Sequence, residues 1–473
     1  MTLLTQKTSA LRGSLCLILA LTPACVTSPE LTELVMLHRE GAHEAALTLL
    51  EEEDVQRELD GARDGLLWRL EAGKICQDAA NFEQSEQHFR AADRRLREFD
   101  AEPVIRIGGE IGALLTNPAA RAYRGTEYDR VLLETYRVWN QLAMGDLSEA
   151  LVHCRRAFVR QAEAVERHSL EIEEEQRAAA ERGVKTSKLL EGAELEEAVA
   201  ATRTRIDPTY ANWVNPYASW LSGVLQWING DYSDAEVDLR KLAGMLPSND
   251  GVSALLAEVE AGAVAQREGM TRVFLIHEAG SAPSRVSEGV VLETMRFGLT
   301  PIVFPALRFE PAEGASFEVT DLNGQLLAKT ETVADIEAII ANDYEARLAG
   351  VVLRAFLSVI LKEIATEALI EADRKEGQGE EGWGFLAGNI YKVLSAGSDN
   401  RTWRSPSARI DIAQLLIPEG SRVQLQLLDT FGTRIASYQT EPQTAPILFV
   451  RVRSQGAAVS IQTATIGALS PLP

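Results

Sequence analysis

Apolar residues in the first half of the chain recur at helical spacing, and short polar turns with a shared motif interrupt them. The clearest turn is Gly-Asp-Tyr-Ser-Asp-Ala at 230–235, and Gly223 stands twelve residues before Ala235. Weaker copies of the turn lie at 41–46, 81–85 and 145–150. A small residue at each turn would allow two antiparallel helices to cross closely. The pattern predicts a TPR-like (tetratricopeptide) helical repeat domain over residues 25–268.

The turns of this repeat domain are unevenly spaced. Their small residues lie 39, 65 and 85 residues apart, at Ala46, Ser85, Ala150 and Ala235. A TPR unit has about 34 residues, so the domain must carry insertions. The largest is an acidic helical insertion at about 161–205, whose Glu and Ala residues favour helix. It is interpreted either as a solvated helical protrusion or as an arm that docks a basic partner.

The periodicity changes near Gly269, where runs typical of β-strands replace the helical pattern. An apolar run occupies 273–276, and apolar and polar residues alternate over 423–427, 447–453 and 459–463. Asn323-Gly324 is typical of a tight hairpin turn. Helices are expected at 333–342, 344–373 and 385–394. Strands on both sides of helices predict a C-terminal α+β domain with an antiparallel sheet over 269–473, and hence an α+β multidomain protein.

The first 24 residues have the features of a signal peptide. Lys7 and Arg12 precede a seven-residue apolar run at 15–21, which is too short to span a membrane. Ala24-Cys25 follows and resembles a lipobox, in which Cys25 would be lipidated; the alternative is an ordinary signal peptide cut near Ala24. Residue 26 is Val and not Asp, which in lipoproteins of the enteric type resembles an outer-membrane address. We therefore expect export and a lipid anchor on the periplasmic face of the outer membrane, or else a soluble periplasmic or secreted protein.

The charge balance narrows the range of partners. The formal net charge of −22 would repel nucleic acid at long range and favour basic partners. Four cysteines in 473 residues do not form a disulfide framework. Cys76 and Cys154, which fall on helix-core positions, are expected to be buried apolar residues.

Few residues carry recognisable chemistry. A G-x-G-x-x-G pattern at 377–382 has no strand before it and is crowded by Glu, so we interpret it as a flexible loop. The six histidines have no metal-ligand spacing. We therefore expect no catalytic residues, no metal and no cofactor.

Two groups of aromatic and charged residues are the candidate binding residues. The first group is Tyr123, Arg124, Tyr128 and Asp129. It would contact a peptide or sugar, or else form the structural entry to the following helix, with Asp129 near its N-terminus. The second group is Asp399, Arg401, Trp403 and Arg404. It would bind a ligand, or else fix a loop against the sheet through an Arg–Asp pair and a packed Trp.

Three segments together resemble a known family. They are Tyr-Arg-Gly-Thr-Glu-Tyr-Asp at 123–129 with the turn at 145–150, Asn-Pro-Tyr at 215–217 continuing to Asp231, and Asp-Asn-Arg-Thr-Trp-Arg-Ser-Pro at 399–406. This order is similar to that of an uncharacterised family of bacterial predicted lipoproteins with TPR-like repeats and a C-terminal α+β domain. The resemblance implies a place among outer-membrane lipoproteins involved in envelope assembly. The lipobox and the acidic insertion depart from the family pattern.

Together these observations predict a non-enzymatic exported scaffold or adaptor that binds protein partners in the cell envelope, among them other lipoproteins. Its helical groove would bind an extended peptide or a partner helix. The alternative is a ligand- or glycan-binding envelope sensor that uses the C-terminal sheet domain. A third interpretation is an envelope hydrolase whose active site carries no recognised motif.

Overall fold

A computed structural model describes residues 28–102, 121–181, 193–294, 298–311, 316–375, 398–455 and 458–467. The signal peptide, Cys25 and the helix expected at 385–394 lie outside these residues. Helices come first and strands later, as the sequence predicts for an α+β protein. The helices before the first strand are α1 Pro29–Arg39, α2 His43–Leu50, α3 Glu53–Leu59, α4 Gly65–Asp78, α5 Phe82–Ala101, α6 Glu127–Ala143, α7 Leu147–Glu181, α8 Ala193–Arg203, the short 3-10 helix Pro208–Trp213, α9 Pro216–Asn229, α10 Tyr232–Met245 and α11 Asp250–Glu260.

The C-terminal half combines strands with one long helix. Its elements are β1 Met270–Ala279, β2 Ser284–Thr294, β3 Gly298–Arg308, β4 Ser316–Thr320, β5 Leu326–Lys329, β6 Glu331–Asp335, α12 Ile336–Lys375, β7 Arg409–Pro418, β8 Gln424–Leu428, β9 Arg434–Gln439, β10 Ile447–Gln455 and β11 Ala458–Ile466. They form a main sheet in the order β11-β10-β1-β7-β6, an outer sheet in the order β5-β4-β8-β9, and the separate hairpin β2-β3.

Small residues lie where neighbouring helices cross. A Cβ atom on Gly73 of α4 would lie 2.4 Å from the Phe89 ring of α5, and one on Gly223 of α9 would lie 2.6 Å from Leu239 of α10. Only glycine permits so close an approach. The intervening turn at Gly230 has a positive φ of 89°, which ends α9. The pairs α4/α5 and α9/α10 therefore pack as the small-residue pattern predicts, while a TPR solenoid stays a prediction.

The expectation of an antiparallel sheet is wrong for one strand pair. β1 and β10 run parallel, with Arg272 opposite Ile447 and Ala279 opposite Ser454. Parallel neighbours need a long connection, and most of the C-terminal half lies between these two strands. The other strand pairs of the described sheets are antiparallel, including the hairpin expected at Asn323-Gly324. The sheets are therefore mixed.

The helices expected at 333–342 and 344–373 also need correction. Residues Glu331–Asp335 form edge strand β6 of the main sheet, and a single helix, α12, follows without a break until Lys375. The boundary is set by Asp335, whose Oδ1 accepts the Ala338 backbone NH at 2.9 Å in the manner of a helix cap. A β-branched pair, Thr332 and Val333, fits the strand better than a helix start.

The main sheet separates two hydrophobic cores. On one face Phe274, Ile276 and Phe449 join the core of the helical half. On the other face Leu275 and Val450 pack against the outer sheet, whose inward residues include Phe317. The alternation follows from the period of two along each strand. The described molecule therefore has three layers: helices, main sheet and outer sheet.

The acidic insertion is not solvated throughout. α7 runs through its first part without a break as far as Glu181. In α8, however, Leu195 and Val199 are buried, and Arg203 donates to Glu345 of α12 at 2.9 Å. The interpretation as a solvated protrusion is therefore wrong for 193–203, because two apolar side chains one turn apart give α8 a buried face.

Within the described ranges, no helix is long and apolar enough to cross a lipid bilayer. Leu348, Val352 and Phe356 of α12 are buried, in agreement with the core-facing helix expected there.

Candidate functional site

Tyr123 and Asp129 form one hydrogen-bonded unit at the start of α6. The Tyr123 hydroxyl donates to Asp129 Oδ2 at 2.8 Å, and the backbone NH of Thr126 donates to the same oxygen at 2.7 Å. The Thr126 side chain accepts the Asp129 NH in return, which completes a capping box. Burial raises the pKa of Asp129 to about 6, and the hydrogen bonds only partly oppose it.

Arg401 organises the second group of candidate residues. Its guanidinium donates to both carboxylate oxygens of Asp399, at 2.8 and 2.7 Å, and to Asp64 Oδ1 at 2.6 Å. Trp403 is fully buried, with its ring centroid 5.6 Å from that of Tyr136. Its Nε1 donates to Ser405 Oγ at 2.8 Å. The Arg–Asp pair and the packed Trp thus fix this loop to the helical half.

The structure brings the two groups together, although about 270 residues separate them. The Tyr128 hydroxyl lies 3.1 Å from Thr402 Oγ1, and the Arg401 guanidinium lies 5.8 Å from the Tyr123 ring centroid. Two of the eight residues sit at the margin. Arg124 pairs with Glu102 and covers the Phe99 ring, while the Arg404 backbone NH donates to buried Glu71 at 2.7 Å. A binding role for the eight residues stays a prediction.

A third set of residues, which the sequence reasoning missed, adjoins these groups. Arg285 of β2 lies within electrostatic range of Tyr123 and Tyr128. In α12, Asp343 accepts the Trp213 indole NH at 2.6 Å and lies 3.1 Å from Arg347 Nε. We name this set the Arg285 cluster: Arg285, Arg347, Asp343, Tyr123 and Tyr128. In the sequence, Arg285 is one charged residue in a Val-rich segment. An ordinary surface position has the same pattern, so the sequence does not identify the cluster.

A second charged cluster lies between α4 and the main sheet, and the sequence reasoning missed it as well. Asp78 Oδ1 accepts from Lys74 Nζ at 2.6 Å and from Arg451 Nη2 at 2.5 Å. Glu278 accepts from Arg451 Nε at 2.6 Å and lies 3.0 Å from Lys74 Nζ. His38 Nε2 lies 2.8 Å from Asp78 Oδ2. We name these five residues, none more than 2% exposed, the Asp78 cluster.

In the Asp78 cluster, the attraction of opposite charges outweighs the effect of burial on the pKa values of the two carboxylates. Burial would raise the pKa of Asp78, but the charges of Lys74 and Arg451 hold it well below its usual range. Burial would also raise the pKa of Glu278, which the same cations lower to about 2. Burial lowers the pKa of His38 to about 4, although its hydrogen bond to Asp78 opposes the shift. The cluster therefore joins the helical half to the sheet as a paired ionic contact with neutral His38.

One more group of side chains, Ser454, His277 and Asp411, is arranged like the catalytic triad of a hydrolase. His277 Nε2 lies 2.8 Å from Ser454 Oγ, and His277 Nδ1 lies 3.2 Å from Asp411 Oδ2. The three side chains are at most 2% exposed, and the Phe317 ring centroid lies 4.7 Å from that of His277. A nucleophile must be reached by its substrate. We therefore assign these residues to the cross-linking of strands β1, β7 and β10.

Among the described residues, neither metal ligands nor thiols add a candidate functional site. In the part of the chain that the structure describes, no group of three or more His, Cys, Asp or Glu could hold a metal ion. Cys76 and Cys154 are unpaired and buried, as the sequence predicts. Burial raises the pKa of the Cys76 thiol to about 12, which makes it unreactive near neutral pH.

The chain was compared with protein-family models, curated proteins and solved structures, and none of them matches. The relation to the lipoprotein family therefore stays a prediction.

Proposed function

We propose that the protein is an exported, lipid-anchored scaffold of the bacterial cell envelope that binds a protein partner on the exposed side of α7. One observation carries the proposal: four large apolar side chains of this helix are exposed within fourteen residues. They are Val159, Val165, Leu170 and Ile172, with 54, 43, 51 and 37% of their surface accessible. Single exposed apolar residues are ordinary, whereas a group of them marks an interaction surface.

Acidic residues lie among these apolar side chains. Glu166, Glu171 and Glu173 are exposed on the same part of α7. At 100° per residue, Glu166 and Glu173 fall between Val165 and Leu170 around the helix axis. An amphipathic partner segment with apolar and Lys or Arg side chains would match this surface. The net charge of −22 would also speed the approach of such a partner.

The test is affinity capture from solubilised envelope with a double variant, Leu170→Glu and Ile172→Glu. Val237→Glu is the matched control, because Val237 is 65% exposed on another helix, α10. We expect a partner that the wild-type protein and the control both capture and that the double variant loses. A partner retained by all three proteins would place the binding surface elsewhere, and loss from the control as well would indicate nonspecific adhesion.

We further propose that the helix pairs form a TPR-like array. The close crossings at Gly73 and Gly223 support this, as does Ala235, which is completely buried at the last position of the turn motif. Ala235→Leu should cost about 1–3 kcal/mol of the free energy of unfolding through overpacking. Ala254→Leu, on an exposed position of α11, is the control and should have almost no effect. Equal effects would contradict the repeat interpretation.

The lipid anchor rests on the Ala24-Cys25 motif alone. Replacement of Cys25 by Ser should abolish metabolic labelling with a fatty acid and release the protein from the membrane fraction. Unchanged labelling of this variant would exclude Cys25 as the lipidated residue.

A further inference from the structure

β11 is an edge strand of the main sheet, and its outer side is unpaired. Its nine residues, Ala458–Ile466, pair with β10 without a register shift. In an antiparallel pair, about half of the residues direct their NH and C=O groups away from the neighbouring strand. Apart from β10, no described part of the chain forms a hydrogen bond with the backbone of β11. β11 therefore presents a row of unpaired donors and acceptors about 30 Å long.

The other edges of the described sheets carry features that hinder the addition of a strand. β5 has only four residues and ends at Lys329, and β9 begins with the exposed Arg434. Both strands also adjoin a register shift. On β6, the carbonyl of Thr332 already accepts from the Asn249 side chain at 3.0 Å. Short length, charged residues, bulges and bonds from neighbouring loops all protect an edge from further pairing.

Side chains of two helices protect the β2-β3 hairpin in the same way. Glu194 of α8 accepts the Val291 NH of β2 at 2.7 Å. The Tyr344 hydroxyl of α12 donates to the Pro305 carbonyl of β3 at 2.7 Å. β11 has none of these features, because its sequence AVSIQTATI contains no charged residue and no proline. Among the described sheets, β11 is thus the edge that is open to another strand.

Both faces of β11 are already packed against the rest of the protein. On the helix-facing side, buried Gln462 accepts the Trp139 indole NH at 2.9 Å. On the opposite side, Val459 and Ile461 pack against the core of the outer sheet. A strand that is fixed in this way loses little conformational freedom when it pairs, which favours the addition of a strand at its edge.

We propose that β11 pairs with β11 of a second copy of the chain, antiparallel and centred on Gln462, so that the two main sheets form one continuous sheet. This register pairs all nine residues. It places Val459 opposite Thr465 of the second copy and Ile461 opposite Thr463. These β-branched residues lie on the same face of the shared sheet, where such cross-strand pairs are favourable. The same strand serves both copies, as a two-fold interface requires.

The charge distribution favours a second copy over a basic partner at this edge. A basic segment would gain from carboxylates along its binding site, and β11 carries none. Two chains with a net charge of −22 repel each other at long range. At physiological ionic strength, however, exposed charges more than about 8 Å apart are largely screened. Added salt should therefore strengthen the self-association, whereas it should weaken the binding of a basic partner to α7.

The test uses the full chain, solubilised in a detergent, and follows its mass by sedimentation equilibrium as the protein concentration rises. Because one strand pair gives a small interface, we expect a dimer that forms between about 10 µM and 1 mM. Added salt should shift this range to lower concentrations. Hydrogen exchange at the two ends of the range locates the contact. The amides of β11 should become protected as the concentration rises, while those of β9 should not.

The variant Thr463→Lys places a charge within the shared sheet, at a position that is exposed in the single chain. We expect it to weaken the dimer at least about tenfold and to leave the unfolding temperature of the monomer unchanged. Thr465→Lys, at the other exposed position of β11, should have the same effect. The matched control is Ser437→Lys, because Ser437 is exposed on the edge strand β9. This variant should dimerise as the wild type does.

Three results would overturn the proposal. A chain that stays monomeric up to about 1 mM would leave the edge to a strand of another protein. A dimer that forms without protection of β11, or that Thr463→Lys leaves unchanged, would place the interface elsewhere. A dimer that Ser437→Lys weakens as much as Thr463→Lys does would show that the added charge acts without regard to its position.

Discussion

Asp78 and Asp129 are both buried aspartates, and their environments shift their pKa values in opposite directions. Asp78 contacts Lys74, Arg451 and His38, and these groups hold its pKa well below the usual range. Asp129 accepts hydrogen bonds from neutral groups, and burial raises its pKa to about 6. The same side chain is thus a stable anion in one cluster and a costly one in the other.

The difference lies in the groups that surround each carboxylate. In the Asp78 cluster two carboxylates meet Lys74 and Arg451, and the buried Arg453 lies 3.5 Å from Asp78, so the fold itself supplies a cation for each carboxylate. The Asp129 carboxylate, in contrast, is held by the Tyr123 hydroxyl and the Thr126 backbone NH, which carry no charge. Opposite charges stabilise a buried structural contact, whereas a buried carboxylate that only neutral donors hold is costly when it is ionised.

The largest effect should come from breaking the compensated cluster. Asp78→Asn removes one of the two negative charges of the Asp78 cluster. The new amide NH₂ would face a hydrogen-bond donor of Lys74, Arg451 or His38. Loss of one partner in a buried ionic group typically costs about 3–5 kcal/mol. We expect a loss of that size in the free energy of unfolding, measured by chemical denaturation. Asp54→Asn, in an exposed pair with Arg57, should change it by less than about 1 kcal/mol.

The same variant addresses whether the two halves, predicted from the sequence as separate domains, fold independently. Asp78 belongs to α4, and Arg451 belongs to β10 of the main sheet. Because a buried ionic contact joins the halves, we now expect one cooperative transition for the full chain, and Asp78→Asn should shift all of it. Two transitions, of which only one moves, would support separate folding.

A smaller loss should follow acidification, through His38. Its pKa is about 4 in the folded protein and 6.5 in the unfolded chain, so the unfolded state binds a proton first as the pH falls. Stability is therefore lost from about pH 6.5 downward, by about 3 kcal/mol at pH 4. His38→Gln keeps a donor for Asp78 and does not titrate. The wild-type protein should lose stability relative to this variant over that range, and parallel curves would exclude His38 as the cause.

Local patterns predicted much of the fold. Gly230 and Gly145 end helices with φ of 89° and 82°, and Gly324 turns the expected hairpin with φ of 85°. Each is a turn that depends on a few adjacent residues, and glycine is the residue that tolerates this conformation. Edge strand β6 was mistaken for a helix start because its extended conformation depends on pairing with β7, which lies about 80 residues away.

The charged clusters could not be predicted in the same way. Asp78 and Arg451 are 373 residues apart, and Arg451 reads as one polar position in an alternating strand. The parallel pairing of β1 with β10 places Arg451 opposite Ile276, in reach of Glu278. The two groups of candidate residues were found in the sequence, but their contact through Tyr128 and Thr402 was not.

The smallest effect, and the one with the opposite sign, should come from Asp129→Asn. The folded-state pKa of Asp129 is raised from 3.8 to about 6, so the folded protein binds a proton that the unfolded chain has already lost. The wild-type protein should therefore lose about 2 kcal/mol relative to Asp129→Asn between pH 4 and pH 7. The asparagine oxygen can keep the hydrogen bonds from Tyr123 and Thr126, and its NH₂ would replace Oδ1, which has no hydrogen-bond partner. At pH 7 we thus expect Asp129→Asn to be neutral or stabilising, where Asp78→Asn is strongly destabilising. Tyr123→Phe removes a hydrogen bond that lowers the pKa of Asp129, so the stability of this variant should go on falling to a higher pH than that of the wild type, whose loss ends near pH 6. Denaturation curves at several pH values test both variants, and an equal loss from Asp129→Asn and Asp78→Asn at pH 7 would show that both aspartates are charge-compensated.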